Sequence, residues 1–207
     1  MEKITTIQGV NKLKQIIVLV FIITSLSGKE FSSLKYSGFG LDVGENGSGL
    51  SYNRTWFKNK KLYFVGELRV FDAKHPDEIV MQDYYTGRAY KFNNINLVLF
   101  PLFSGVKYYP FVGKIANNFS PFFSIKFGPI LVLDGAETGS FKQKWYNNVQ
   151  YYRSWGGFLG LGADVLTSNN TILTVRVGYD MLPMSQEIDG RDDYSGALVR
   201  FGFNWKK

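Results

Sequence analysis

The chain has 207 residues, 24 Lys and Arg against 17 Asp and Glu, and a formal net charge of +7. Its apolar fraction of 45% with 17% aromatic residues excludes a disordered or collagen-like chain. The sequence has no Cys and one His, which excludes disulfides and thiolate metal sites and leaves little room for zinc or triad chemistry. We therefore expect a folded protein with no cofactor and no metal site.

The first 27 residues have the pattern of a secretory signal peptide. Three lysines precede position 15, an uncharged apolar run covers 16–23, and the small residues Ser25 and Ser27 follow. The run is shorter than the roughly 20 residues that a spanning helix needs, so a membrane-anchoring helix is the lesser alternative. The sequence thus predicts a signal peptide at 1–27 and a mature domain at 28–207.

The mature chain alternates apolar and polar residues with the period of a β-strand. In the last block, Val199, Phe201 and Phe203 fall on one face, and Arg200 and Gly202 fall on the other. Similar blocks recur along the whole domain. They predict eight strands, at 38–43, 50–56, 62–70, 95–109, 122–131, 155–165, 172–181 and 196–205.

Two strands depart from clean alternation. Arg54 lies on the apolar face of the second strand, so its head group must reach an interface. The fourth strand is apolar on both faces, and Pro101 within it cannot donate to a ladder. We expect a bulge or a change of register at Pro101.

The connections between strands differ in length. Segments 58–60, 112–119 and 167–170 are short, whereas 74–92, 135–153 and 183–193 are long; only the first connection, 44–48, departs from this alternation. Short turns at one end, long loops at the other and an even number of strands are typical of an outer-membrane barrel. The predicted fold class is therefore all-β: an eight-stranded antiparallel up-and-down transmembrane β-barrel.

The polar strand faces carry few charges, and Gly, Ser and Asn fill the gaps between them. An eight-stranded barrel is just wide enough for side chains to fill it, so such faces suit a crowded interior. Four acids and four bases balance there, as a low-dielectric interior requires, although scattered surface charges are the simpler alternative. The predicted interior network consists of Asp42, Glu67, Arg69, Lys126, Asp164, Arg176, Asp180 and Arg200.

Aromatic residues concentrate near both ends of the predicted strands. Trp56 and Trp205 lie near the short turns, and Trp145, Tyr152 and Trp155 lie near the long loops. Two such belts are typical of barrel residues at the two membrane–water interfaces. Tyr is common in β proteins generally, so this pattern adds to the membrane interpretation and does not carry it.

Three segments resemble the small eight-stranded barrels of the bacterial outer membrane. They are GVKYYPF at 105–111, PFFSIKFG at 121–128 and the closing VRFGFNW at 199–205. The resemblance covers nearly all of the mature chain, and its motifs are generic to the architecture. It implies a location in the outer membrane, both termini in the periplasm, the long loops outside the cell and insertion by the barrel assembly machinery.

The predicted function is a structural or surface-interaction role with a side-chain-plugged lumen, in a protein that is not an enzyme. A narrow pore is one alternative. Another is a lipid A hydrolase or acyltransferase using His75 beside Asp77 and Glu78, as in barrels of the same superfamily. A soluble lipocalin-like binding barrel is the third. The expected partners are outer-membrane lipid and lipopolysaccharide, with no nucleic acid, and the protein is expected to be a monomer.

Overall fold

The computed structural model describes residues 35–59, 61–74, 79–82, 84–87, 89–92, 95–112, 114–115, 118–136, 149–167 and 170–206. The predicted signal peptide, His75 and Trp145 lie outside the described residues, and the inferences drawn from them stay predictions. No helix in the described part of the chain is long and apolar enough to cross a membrane.

Twelve strands make up the described fold. They are β1 (Tyr36–Gly44), β2 (Gly47–Asn59), β3 (Leu62–Ala73), β4 (Ile79–Gln82), β5 (Ala89–Phe92), β6 (Leu97–Tyr108), β7 (Phe119–Asp134), β8 (Gln150–Leu166), β9 (Thr171–Met181), β10 (Pro183–Ile188), β11 (Arg191–Asp193) and β12 (Gly196–Lys206). Eight of them form a closed barrel in the order β1-β12-β9-β8-β7-β6-β3-β2. All neighbours are antiparallel, and the pairing of β1 with β12 closes the ring, which confirms the predicted fold class.

Two of the long connections contain hairpins that the sequence did not predict. β4 pairs with β5, and β10 pairs with β11, each as a separate two-stranded sheet. The β10–β11 turn consists of Asp189 and Gly190, with φ values of 49° and 75°. A two-residue turn with positive φ at both positions matches the right-handed twist of a hairpin, and Asp-Gly is a favoured pair for it.

The apolar and polar residues that alternate along each strand point alternately to the outside and the inside of the barrel. In β9, Val175 and Val177 are 39% and 42% exposed, whereas Arg176 between them is 3% exposed. In β12, Phe201 and Phe203 likewise point outward, and Arg200 is buried. Because side chains alternate across a strand, every second residue must face the interior once the sheet closes.

The expected change of register at Pro101 is wrong. Leu62 pairs with Tyr108 and Ala73 with Leu97, so the β3–β6 register is the same on both sides of Pro101. The β6–β7 register is also continuous past it. Pro101 lacks only a donor, and a strand held by two neighbours tolerates one lost ladder bond without slipping. Among the barrel pairs described, the register shifts between Phe57 and Asn59 of β2, next to a short turn.

Candidate functional site: the charged interior

The buried charged groups inside the barrel are arranged around a single carboxylate, that of Glu67 in β3. Its oxygens face four cationic groups from four different strands. The Nε of Arg69 lies 3.3 Å from one oxygen, and an Nη of Arg176 lies 3.2 Å from the other. Lys126 and Arg200 also form ion pairs with Glu67. One negative charge therefore holds β3, β7, β9 and β12 together from the inside.

Two further carboxylates pair with two of the three arginines around Glu67. Arg69 donates two hydrogen bonds of 2.7 Å to Asp180, one to each oxygen. Arg200 is likewise bidentate on Asp42, with Nε and an Nη as donors. Planar two-point pairs of this kind are the strongest ion pairs in proteins, and they fix the orientation of both guanidinium groups.

Asp164 in β8 forms a separate part of the network. Lys107 donates to it at 3.3 Å, and the hydroxyls of Tyr36, Tyr109 and Thr174 also donate to it. The Tyr36 and Tyr109 hydroxyls lie 2.9 Å apart. A buried carboxylate surrounded by one ammonium and three hydroxyls has its lone pairs satisfied without direct contact with the Glu67 group.

The structure buries all eight charged residues that the sequence placed in the interior, each to 3% exposure or less. It adds a ninth, Lys107, which is 4% exposed. The sequence argument missed Lys107 because β6 is apolar on both faces, so alternation gives no sign of which face is inside. The expected balance of four acids and four bases becomes four acids and five bases, a formal charge of +1.

An apolar layer fills the interior between the charged network and the long loops. We call it the loop-end cluster; its buried members are Phe71, Ala73, Ile95, Leu97, Leu99, Phe103, Ile130, Val132, Phe158, Leu182, Ile188, Tyr194 and Leu198. The connection that contains β10 and β11 contributes to this end, because the Ile188 side chain at the end of β10 packs into the cluster. Burial raises the pKa of the Tyr194 hydroxyl to about 12, so it stays protonated and donates to the Ile188 carbonyl at 3.0 Å.

A second apolar layer closes the end with the short turns. This turn-end cluster consists of Tyr36, Tyr63, Tyr109, Phe122, Leu166 and Ile172. Aromatic rings also border the charged groups directly. Arg176 and Lys126 lie over the Phe158 ring at 4.2 and 4.8 Å, and Lys107 lies 4.2 Å from the centre of the Phe122 ring. Cation–π contacts of this kind are strongest where water is excluded.

The predicted interfacial aromatics occupy different surfaces. Trp56, Trp155 and Trp205 are on the outside, with Trp155 stacked on Phe127 at 5.5 Å. The predicted interfacial position of Tyr152 is corrected, because its side chain is half-buried and packs against the loop-end cluster. Its neighbour Tyr151 takes the outward position and is 67% exposed. Alternation within β8 explains the exchange, since two consecutive residues cannot share a face.

The described residues contain no cluster of metal-binding side chains. No group of three or more His, Asp or Glu side chains among them is arranged to hold a metal ion. The carboxylates of the interior are already occupied by cations and hydroxyls. This arrangement is suited to holding strands together and to filling space.

The sequence matches no family model and no curated protein. Solved structures are similar in fold. Neisserial surface protein A has a TM-score of 0.57 with 8% sequence identity, over 85% of this chain and 98% of that one. OprG of Pseudomonas aeruginosa has a TM-score of 0.49 with 14% identity, over 86% and 98%. Ail of Yersinia pestis has a TM-score of 0.48 with 8% identity, over 86% and 100%.

The chain therefore has the fold of the small eight-stranded outer-membrane β-barrels, as the sequence predicted. Neisserial surface protein A is a solved structure that shares it over nearly its whole length. At 8% identity, the shared property is the architecture.

Proposed function

We propose that this protein is an integral outer-membrane barrel with a plugged interior, whose role lies in stabilising the cell surface or in contacts made by its long-loop end. The observation that carries the proposal is the reversed distribution of polarity. Apolar side chains such as Phe39, Ile125 and Leu161 are more than half exposed, whereas nine charged side chains are buried inside.

A soluble barrel would require the opposite distribution. Soluble monomers rarely expose contiguous apolar patches larger than a few hundred Å². Here the outward positions of all eight barrel strands are mostly apolar, and the charged ones that the structure describes are Arg54, Asp72 and Arg153. Asp72 and Arg153 lie near the long-loop ends of their strands, and Arg54 lies over Trp56 near the other end. Hydrocarbon is the solvent that such a surface fits.

The plug is supported by the three layers of the interior. The loop-end cluster, the charged network and the turn-end cluster follow one another along the barrel axis, and aromatic rings contact cations at both boundaries. A water-filled channel through an eight-stranded barrel would need a gap in this sequence of layers. We therefore propose a plugged interior in preference to a narrow pore.

The proposal on location is tested by expressing the full chain, signal peptide included, in a Gram-negative host. We expect the protein in the outer-membrane fraction. In SDS gels its unheated form should migrate differently from the boiled form, because a closed barrel resists SDS until it is heated. Recovery in the soluble periplasmic fraction, with no difference between heated and unheated samples, would contradict the proposal and favour the lipocalin-like alternative.

The plug is tested by conductance in planar bilayers. The unmodified protein should show no steady large conductance, and Arg176→Ala, which removes a side chain from the central layer, should at most add brief openings. A steady large conductance from the unmodified protein would reject the plug and support a pore.

The expected partners remain part of this proposal. They are the barrel assembly machinery during insertion and lipid with lipopolysaccharide afterwards, with the protein present as a monomer. The neisserial protein of similar fold is named a surface protein, which agrees with a role for the long-loop end at the cell surface. We do not propose an enzymatic role, since it rests on His75, Asp77 and Glu78, which lie outside the described residues. Lipid A mass spectra that change with His75→Ala would restore it.

A further inference from the structure

The two ends of the barrel differ in the sign of their exposed charges. At the short-turn end, the exposed charged side chains that the structure describes are all basic, and we call them the basic rim: Lys35, Arg54, Lys61, Lys114 and Lys206. At the long-loop end, acids outnumber bases among the described side chains. The acids there are Glu45, Asp72, Asp134, Glu187, Asp189, Asp192 and Asp193, and the bases are Lys74, Arg153 and Arg191.

The basic rim extends around the barrel mouth. Lys206 pairs with Tyr36, next to Lys35, while Arg54 pairs with Ser37 on the other side of β1. Lys61 lies in the β2–β3 turn, and its carbonyl accepts a hydrogen bond from the amide of Tyr109, just past the end of the neighbouring strand β6. Lys114 lies in the β6–β7 connection, where its amide donates to Phe111. Because these residues come from four separate chain segments at the mouth, their charges sum at one end of the molecule.

The basic rim adjoins a group of outward aromatic rings. Trp205 lies 5.7 Å from Phe39 and 6.5 Å from Phe203, and Tyr52 lies 5.4 Å from Phe39. The guanidinium of Arg54 lies 5.5 Å from the Trp56 ring. Aromatic rings with cations just beyond them match the order of chemistry at a bilayer surface, where glycerol and carbonyl groups give way to phosphates.

We propose that the basic rim binds the phosphates of anionic phospholipids in the bilayer leaflet at the short-turn end of the barrel. The inference rests on the proposed function, because a barrel outside a membrane would have no leaflet to contact. It adds the class of lipid and the end of the barrel that selects it. Near an anionic surface, each Lys or Arg strengthens attraction about fivefold, so several cations at one rim give a measurable preference.

Trp56 and Trp205, two of the four Trp residues, lie beside the basic rim, so their fluorescence can report which lipid is bound there. In a Trp145→Phe/Trp155→Phe background, fluorescence reports on Trp56 and Trp205 alone. The barrel is reconstituted into phosphatidylcholine vesicles that contain a fixed fraction of brominated phosphatidylglycerol or brominated phosphatidylcholine. Bromine quenches Trp on contact, so the ratio of the two quenching efficiencies measures the preference for the anionic lipid.

We expect the brominated anionic lipid to associate at least threefold more strongly than the zwitterionic lipid at low salt. The preference should fall at high salt, which screens exposed charges. Lys61→Gln/Lys206→Gln should reduce it at least threefold. The matched control, Lys74→Gln/Arg153→Gln, removes two charges from the long-loop end and should leave it unchanged.

Each outcome of the experiment supports or overturns the inference. Equal quenching by both lipids, or an equal loss of preference in the rim and control variants, overturns it while leaving the membrane barrel intact. An acidic protein as the partner of the rim would also give equal quenching by the two lipids. A barrel that neither inserts nor is quenched by either lipid contradicts the proposed function itself, so the two failures are distinguishable.

Discussion

Glu67 is the residue on which the interior depends most. It is the shared partner of four cations, all from the barrel wall, and each is buried. Removing the acid of a buried ion pair leaves uncompensated charge, which costs more than losing the attraction alone. Four cations that share one acid make this asymmetry large.

Glu67→Gln should lower the free energy of unfolding by about 3 to 5 kcal/mol, because it leaves the cations around it without their shared charge. Urea unfolding in phospholipid vesicles, followed by Trp fluorescence, measures the effect. Glu187→Gln is the control, since Glu187 is exposed on β10. A Glu67→Gln barrel as stable as the control would show that the network contributes little to stability.

Lys126→Met should have a much smaller effect, within about 1 kcal/mol of the unmodified protein. Glu67 keeps three arginines, the removed cation no longer repels them, and the Met side chain still packs on the Phe158 ring. The same unfolding measurement applies. If Lys126→Met destabilises the barrel as strongly as Glu67→Gln, the interior does not carry excess positive charge.

At the scale of strands, the glycines of β8 and β9 make room for a large aromatic side chain. A Cβ at Gly178 would lie 2.5 Å from Phe158 Cζ and 2.4 Å from the Leu159 carbonyl oxygen. Gly160 is equally close to the same ring. Phe158 therefore reaches from the loop-end cluster to the charged network because its neighbours on both strands lack side chains.

Gly178→Ala should destabilise the barrel by about 1 to 3 kcal/mol, since neither the ring nor the backbone has space for the added carbon. Gly202→Ala on β12 is the matched control, because the nearest atom to its Cβ would be 3.3 Å away. Thermal and urea unfolding of both variants would measure the difference. Equal stability of the two variants would mean that Phe158 moves aside easily.

Strand alternation made much of this architecture predictable. Where one face is apolar and the other is polar, as in β9 and β12, period-two patterning identifies the strand and its inner face. In β6 both faces are apolar, so Lys107 and the inward Leu97, Leu99 and Phe103 went unrecognised. The hairpin of β10 and β11 was also missed, because the inward position of Ile188, the buried residue of its two strands, depends on the barrel mouth beneath it.

Which charges meet inside the barrel could not be read from the sequence. Arg69 meets Asp180 across 111 residues, and Arg200 meets Asp42 across 158. Those pairs depend on barrel closure and on the register of β1 against β12, neither of which is encoded locally. The sequence could indicate that buried charges must balance, but it could not specify partners, and it missed the fifth base.

At the scale of the whole molecule, one distribution of polarity underlies every proposal. The exterior is apolar, the interior is layered and filled, and the exposed charges described at the two ends differ in sign. A filled interior argues against conduction, and an apolar exterior requires lipid. The function that we propose for such a molecule is exerted at its two ends, through the basic rim on one side and the long loops on the other.

The most direct test of this account is the accessibility of nitroxide labels on the barrel exterior. The chain has no Cys, so Val175→Cys, Phe201→Cys and Gln186→Cys each provide a single labelling site. In reconstituted membranes, labels at 175 and 201 should collide readily with oxygen and poorly with a water-soluble nickel complex, whereas the label at 186 should show the reverse. Ready collisions of the nickel complex with labels at 175 and 201 would mean that the apolar exterior faces water, and would contradict the account.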